Sequence, residues 1–193
     1  IDNYLVAERY ALKNNNRRQY FYINRGIADI KRIWGDYNDA ITIYKSILEQ
    51  SKEYNDYLST LCFLSDCYSK SIKLDSALFY NKKGMQKSLE EKDDYWYHFF
   101  VKQIGYIAYE EGNYKLALDS IKKGAFKDET SNDFLNTHYY KGNIFKKLKE
   151  ENKAFYHFKK ADSVYNANPD DIVPEIRDIQ EYFVKYYGKQ KDA

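Results

Sequence analysis

Apolar residues recur along this chain at helical spacing, and short polar clusters interrupt them at nearly even intervals. Ile176, Ile179, Phe183, Val184 and Tyr187 fall three, four, one and three residues apart, the stripe of an amphipathic helix. Read this way, the chain predicts helices over residues 1–15, 20–33, 37–51, 57–71, 75–90, 95–111, 114–126, 134–148 and 151–166, and a last one opening at Ile172. Pro174 falls in that helix's first turn, where a missing amide costs nothing. Asn14-Asn15-Asn16 and Trp34-Gly35-Asp36 read as stops and turns. An all-α fold is expected, and two prolines and eight glycines in 193 residues agree with it.

The helices come in pairs. Ala40, Ala77, Ala117 and Ala154 lie 37, 40 and 37 residues apart, and 12 residues before each stands a small residue, Ala28, Ser65, Gly105 or Gly142. A small residue facing another small residue lets two antiparallel helices approach closely, so each such couple marks one helix pair. A second period runs beside the first. Asn55-Asp56, Asp93-Asp94, Asn132-Asp133 and Asp170-Asp171 each precede an apolar or aromatic residue, and their second members recur at 38, 39 and 38 residues. Carboxylates there suit the free amides at helix starts.

These residues carry a resemblance to the tetratricopeptide repeat. The third copy reads Val101, Ile104-Gly105, Gly112, Tyr114, Ala117 and Ile121, with Gly124 at the second alanine site; the fourth reads Gly142, Phe145, Ala154, Phe158 and Ala161. The first gives Ile27-Ala28, Gly35-Asp36-Tyr37, Ala40, Tyr44 and Ile47, and the second keeps Leu61, Leu64, Tyr68 and Ala77 but places Asn81 at the aromatic site. The resemblance implies one domain over residues 1–193, a right-handed α-solenoid of antiparallel helix pairs. Its four repeats are 20–56, 57–94, 95–133 and 134–171, with partial repeats at 1–19 and 172–193, as in a piece of a longer protein. Phrases such as Leu74-Asp75-Ser76-Ala77-Leu78-Phe79-Tyr80-Asn81 resemble the sensory regions of bacterial membrane-anchored transcriptional regulators or sensor kinases. That likeness implies a signal-receiving module in the periplasm, with a cytoplasmic setting or a stand-alone scaffold as alternatives.

Composition narrows the chemistry. Thirty-one basic and 29 acidic residues are interleaved, giving a net charge of +2 and no extended basic patch for nucleic acid. No stretch is long and apolar enough to span a bilayer. Cys62 and Cys67, five apart on one helix, point about 140° apart and read as free thiols. His98, His138 and His157 share no metal-ligand spacing, no nucleophile stands beside a histidine, and no glycine-rich phosphate loop is present. No catalysis, cofactor or metal is expected.

What remains is binding. In a solenoid the first helix of each pair lines the inner face, which here would carry Tyr22, Arg25, Asp29 and Arg32, then Ser59, Cys62, Asp66 and Ser69. Phe99, Lys102, Tyr106 and Tyr109 would follow, and then Asn136, Tyr139, Asn143 and Lys146. The ligand expected is a peptide or protein held chiefly by Lys102, Tyr106, Tyr109, Tyr139, Asn143 and Lys146, with Tyr22 and Arg25 from the first repeat; Asp29 and Asp66 are expected to pair with Arg25, Arg32 or Lys70. The Lys and Asn positions of the chaperone-tail clamp hold Arg25 with Asp29, Cys62 with Asp66, Lys102 with Tyr106 and Tyr139 with Asn143, so that recognition mode is not implied. An uncovered apolar face through Ile176, Ile179 and Phe183 would favour a homodimer.

Overall fold

The computed structural model describes residues 2–51, 53–126, 131–167 and 175–191, and among them every regular element is helical. The helices are α1 (Asp2–Lys13), α2 (Arg17–Trp34), α3 (Tyr37–Leu48), α4 (Tyr54–Lys70), α5 (Leu74–Glu90), α6 (Asp94–Glu110), α7 (Tyr114–Lys123), α8 (Ser131–Lys147), α9 (Glu151–Ala167) and α10 (Glu175–Lys191). Each packs mainly on its chain neighbours, with α2 on α3, α4 on α5, α6 on α7 and α8 on α9. Alternate helices also touch, α4 with α6, α6 with α8 and α8 with α10, so these run side by side along one face. Asp170-Asp171, Ile172 and Pro174 lie outside the described residues.

The small residues stand at close contacts between paired helices. A Cβ added to Gly105 would stand 2.7 Å from the carbonyl oxygen of Ala117, and one on Gly142 would strike the ring of Phe158 at 2.7 Å. At the second pair the contact is also polar, since the Ser65 hydroxyl donates to the carbonyl of Ala77 at 2.9 Å. Five residues before each of these alanines the chain turns through the left-handed region, at Gly35 (φ 87°), Ile72 (φ 57°), Gly112 (φ 82°) and Lys149 (φ 61°). Glycine takes that conformation without strain; isoleucine does not.

The second pair departs from the repeat pattern for a visible reason. Asn81 stands at the expected aromatic site, and about one turn further on the ring of Phe100 of α6 presses so closely on Gly84 that a Cβ there would lie 2.2 Å away. Buried Asn81 then donates to the Phe100 carbonyl at 3.2 Å and to Gln103 Oε1 at 3.1 Å, and Gln103 donates onward to the Cys62 carbonyl at 3.0 Å. A chain of amides thus ties α5, α6 and α4 together.

The aspartate period needs correcting. Asp93 does cap α6, accepting from the Trp96 amide at 3.0 Å. Asp56 and Asp133 sit inside the first turns of α4 and α8 and reach sideways, to tyrosines of the preceding first helix: Tyr22 donates to Asp56 and Tyr95 to Asp133, each at 3.2 Å. Tyr139 does the same to Asp178 of α10 at 2.8 Å. The α10 face expected to lie open is covered: Ile179 is fully buried, and Ile176 and Phe183 pack on the cluster around Phe158. Val184, 74% exposed, and Tyr187 face outward instead.

Candidate functional site

A cavity of about 580 Å³ runs across the helices that lie side by side. Its walls are Arg25, Arg32 and Ile33 of α2 with Asp56, Phe63 and Asp66 of α4, then Trp96, Phe99, Gln103 and Tyr106 of α6 facing Asn132, Asp133, Asn136 and Tyr140 of α8, with Glu175 of α10 at one end. No second helix of a pair contributes a lining residue. A neighbouring cavity of about 480 Å³ shares Arg32, Ile33, Asp66 and Glu175, and brings Trp34 at the end of α2 together with Arg177 and Asp178 at the start of α10.

The arginines are held in place. Arg25 Nη1 lies 3.2 Å from Asp56 and Arg32 Nη1 lies 3.2 Å from Asp66, and both guanidiniums stand over the Phe63 ring, at 5.4 and 5.0 Å. Burial works against the Arg32 charge, but Asp66, Tyr44 and Asp29 override it, so its proton is held more firmly than usual. Asp29 takes no arginine; it accepts the Tyr44 hydroxyl at 2.5 Å, and Lys70 goes to Glu110 at 3.8 Å. Of the two aspartates expected to pair with Arg25, Arg32 or Lys70, Asp66 does so, with Arg32.

On the far wall Tyr106 stacks on Tyr140 with centroids 4.1 Å apart, and the Lys70 ammonium lies 5.1 Å from the Tyr140 ring. Trp96 crosses to α4, its indole nitrogen donating to Asn55 Oδ1 at 2.9 Å. Cys62 is a free buried thiol, and burial, then Asp66, pushes its ionisation well up.

The predicted site residues divide. Arg25 and Tyr106 line the main cavity, Tyr22 reaches Asp56 at its wall, and Tyr139 lines the second cavity with its hydroxyl committed to Asp178. Lys102, Tyr109, Asn143 and Lys146 line neither. Lys102 is only 2% exposed, its stem packed on Gly124 where a Cβ would lie 2.4 Å from its Cγ. Tyr109 packs edge-on to Tyr140, Asn143 donates to the Tyr139 carbonyl within its own helix, and Lys146 reaches over Tyr182. The inner-face set on α6 lies three residues earlier, at 96, 99, 103 and 106 instead of 99, 102, 106 and 109. Trp96 and Gln103, missed in the sequence, come from this shift; extending the i, i+3, i+4 run back from Tyr106 would have reached both.

A second cluster lies between α8 and α9. His138 Nδ1 and His157 Nδ1 stand 2.8 Å apart, with Phe145 stacked on His157 and Phe134 against His138. Burial lowers both imidazoles to about 4; His157 and the lysines 141 and 160 add to this at His138, and Lys141 at His157. Among the described residues no group of three or more potential metal ligands forms, and no helix is long and apolar enough to cross a membrane.

No family model matches this chain, and no curated protein matches it. Among solved structures, the crystal structure of BtubC (BKLC) from P. vanneervenii is similar, with a TM-score of 0.55 over 82% of this chain and 68% of that one, at 13% identity. At that identity the likeness speaks for the helical architecture alone.

Proposed function

We propose that this chain is a non-catalytic tetratricopeptide-type interaction module that binds a peptide or protein segment in the cavity along α2, α4, α6, α8 and α10. The observation that carries the reading is the lining itself: five helices distant in sequence turn aromatic, amide and charged side chains into one continuous space. That mixture suits a polypeptide, whose backbone needs amide partners and whose side chains need apolar walls.

Within this reading we favour a signal receiver over a static scaffold, because the second cavity is lined from both α2 and α10. A ligand bridging those helices would prefer one curvature of the stack over another, and such a preference is what shifts a conformational equilibrium. The chain would then be the sensing part of a bacterial regulator or signal-transduction protein.

Selection of a random dodecapeptide display library on the immobilised chain tests the binding site. Asn132 and Asn136 line the cavity without entering a hydrophobic core cluster, so Asn132→Arg with Asn136→Arg obstructs it while leaving the fold intact. Selected peptides should lose binding to that variant and keep it with Lys122→Glu and Lys159→Glu on the outer helices. The reverse result would place recognition on the outer helices.

A further inference from the structure

Resting on the cavity as the binding site, the partners already taken by its wall residues narrow the ligand. The charges are engaged. Arg25 lies on Asp56 and Arg32 on Asp66, with both guanidiniums over Phe63. Asp133 accepts from Tyr95, and Glu175, at one end, stands in the first turn of α10, where a carboxylate offsets the helix dipole. The aromatic wall is engaged as well, with the Lys102 ammonium 5.9 Å from the centre of the Phe99 ring and the Lys70 ammonium 5.1 Å from that of Tyr140. Away from Glu175, a charged ligand would shed water here and meet an opposite charge only by breaking one of these contacts.

Most uncharged polar residues of the wall are engaged too. Asn55 accepts from Trp96, Ser59 donates to the Asp56 carbonyl, Gln103 joins Asn81 to the Cys62 carbonyl, and Tyr106 meets Thr137. Asn132 and Asn136 differ: among the described residues neither has a hydrogen-bond partner. They stand four residues apart on α8, the first exposed and the second half-buried, across the cavity from Trp96 and Phe99. One helical turn separates them by about 6 Å along the axis. Alternate residues of an extended chain lie about 6.6–6.8 Å apart and present the same backbone edge. Each primary amide offers a donor and an acceptor, which is what one residue of that edge requires.

We infer that the main cavity takes an extended segment that is uncharged over the stretch it buries, held along its backbone by Asn132 and Asn136 at alternate residues, with apolar side chains against the α6 wall. The test begins with the peptides that the dodecapeptide library yields and that fail on Asn132→Arg with Asn136→Arg. In their shared motif Lys, Arg, Asp and Glu should be at least threefold rarer than in the unselected library. A labelled, end-blocked synthetic copy of the most enriched peptide, followed by fluorescence anisotropy, should keep its affinity within twofold from 50 to 300 mM NaCl. It should lose at least tenfold on Asn132→Leu with Asn136→Leu, and at least tenfold on N-methylation of either of two backbone amides two residues apart. Charged residues enriched in the motif, or affinity falling more than twofold with salt, in peptides still lost on the arginine variant, would overturn the uncharged ligand and leave the cavity as the site. Undiminished binding to the leucine variant, or tolerance of every N-methyl group, would overturn the role of the two asparagines. Peptides that all bind the arginine variant, or no enrichment at all, would overturn the cavity itself.

Discussion

His138 and His157 meet Nδ1 to Nδ1 at 2.8 Å across the α8–α9 contact, one ring donating to the other, so the pair fits together only while at least one imidazole nitrogen is unprotonated. In the unfolded chain each ring takes up a proton near pH 6.5, whereas the folded pair resists until about 4. Between those values the unfolded chain binds more protons, and stability must fall as pH falls. Melting temperature should therefore drop from pH 6.5 to pH 4, and His157→Phe, which keeps the stacking on Phe145, should flatten that slope. Parallel profiles for parent and variant would show that the pair does not titrate as described.

Ile72 offers a stabilising change. It holds φ 57° in an exposed turn where the first and third pairs use Gly35 and Gly112. A left-handed backbone costs an L-residue about 1–2 kcal/mol, partly offset by the extra freedom glycine has when unfolded. Ile72→Gly should raise unfolding free energy by up to about 1 kcal/mol in urea titrations.

Two helical glycines should respond in opposite senses to alanine. A methyl at Gly105 lands 2.7 Å from both the Ala117 carbonyl and Ile121 Cγ1, so α6 and α7 must separate, at about 1–3 kcal/mol. At Gly188 nothing lies within 4 Å, and alanine's better helix propensity should add about 0.5–1 kcal/mol. Denaturant midpoints of Gly105→Ala and Gly188→Ala on either side of the parent would meet this expectation.

Asn81 inverts the usual logic of a repeat consensus. Restoring an aromatic there, Asn81→Phe, would put a larger ring at a fully buried position, beside the Phe100 ring on Gly84, and would cut the amide links to the Phe100 carbonyl and Gln103. A loss of about 1–3 kcal/mol is expected; thermal melting of Asn81→Phe at or above the parent would mean that Phe100 can make room.

The helix pairs were legible because a close approach of two helices leaves a local trace: Ala28 and Ala40, Gly105 and Ala117, and Gly142 and Ala154 each sit 12 apart, and the positive-φ turn always precedes the alanine by five. The site was less legible. Which side of α6 faces the cavity depends on how it rolls against α7, and the bare backbone of Gly124 draws Lys102 toward that partner and turns Gln103 inward. Asn81 looked like decay of the pattern because its partners, the Phe100 carbonyl and Gln103, come from the next pair. The histidines, 19 residues apart, share no ligand spacing, although His138 lies four before Gly142 and His157 three after Ala154, which in an antiparallel pair brings them face to face.

On the proposed function, ligand enters the cavity along the first helices of the pairs. Photo-crosslinking measures this most directly, with benzoylphenylalanine in place of Asn132 at the cavity wall or of exposed Lys159 on α9, and a library-selected peptide as ligand. A crosslinked product from position 132 that excess unlabelled peptide competes away is expected, and none from position 159. A competed product from position 159 with none from position 132 would contradict it.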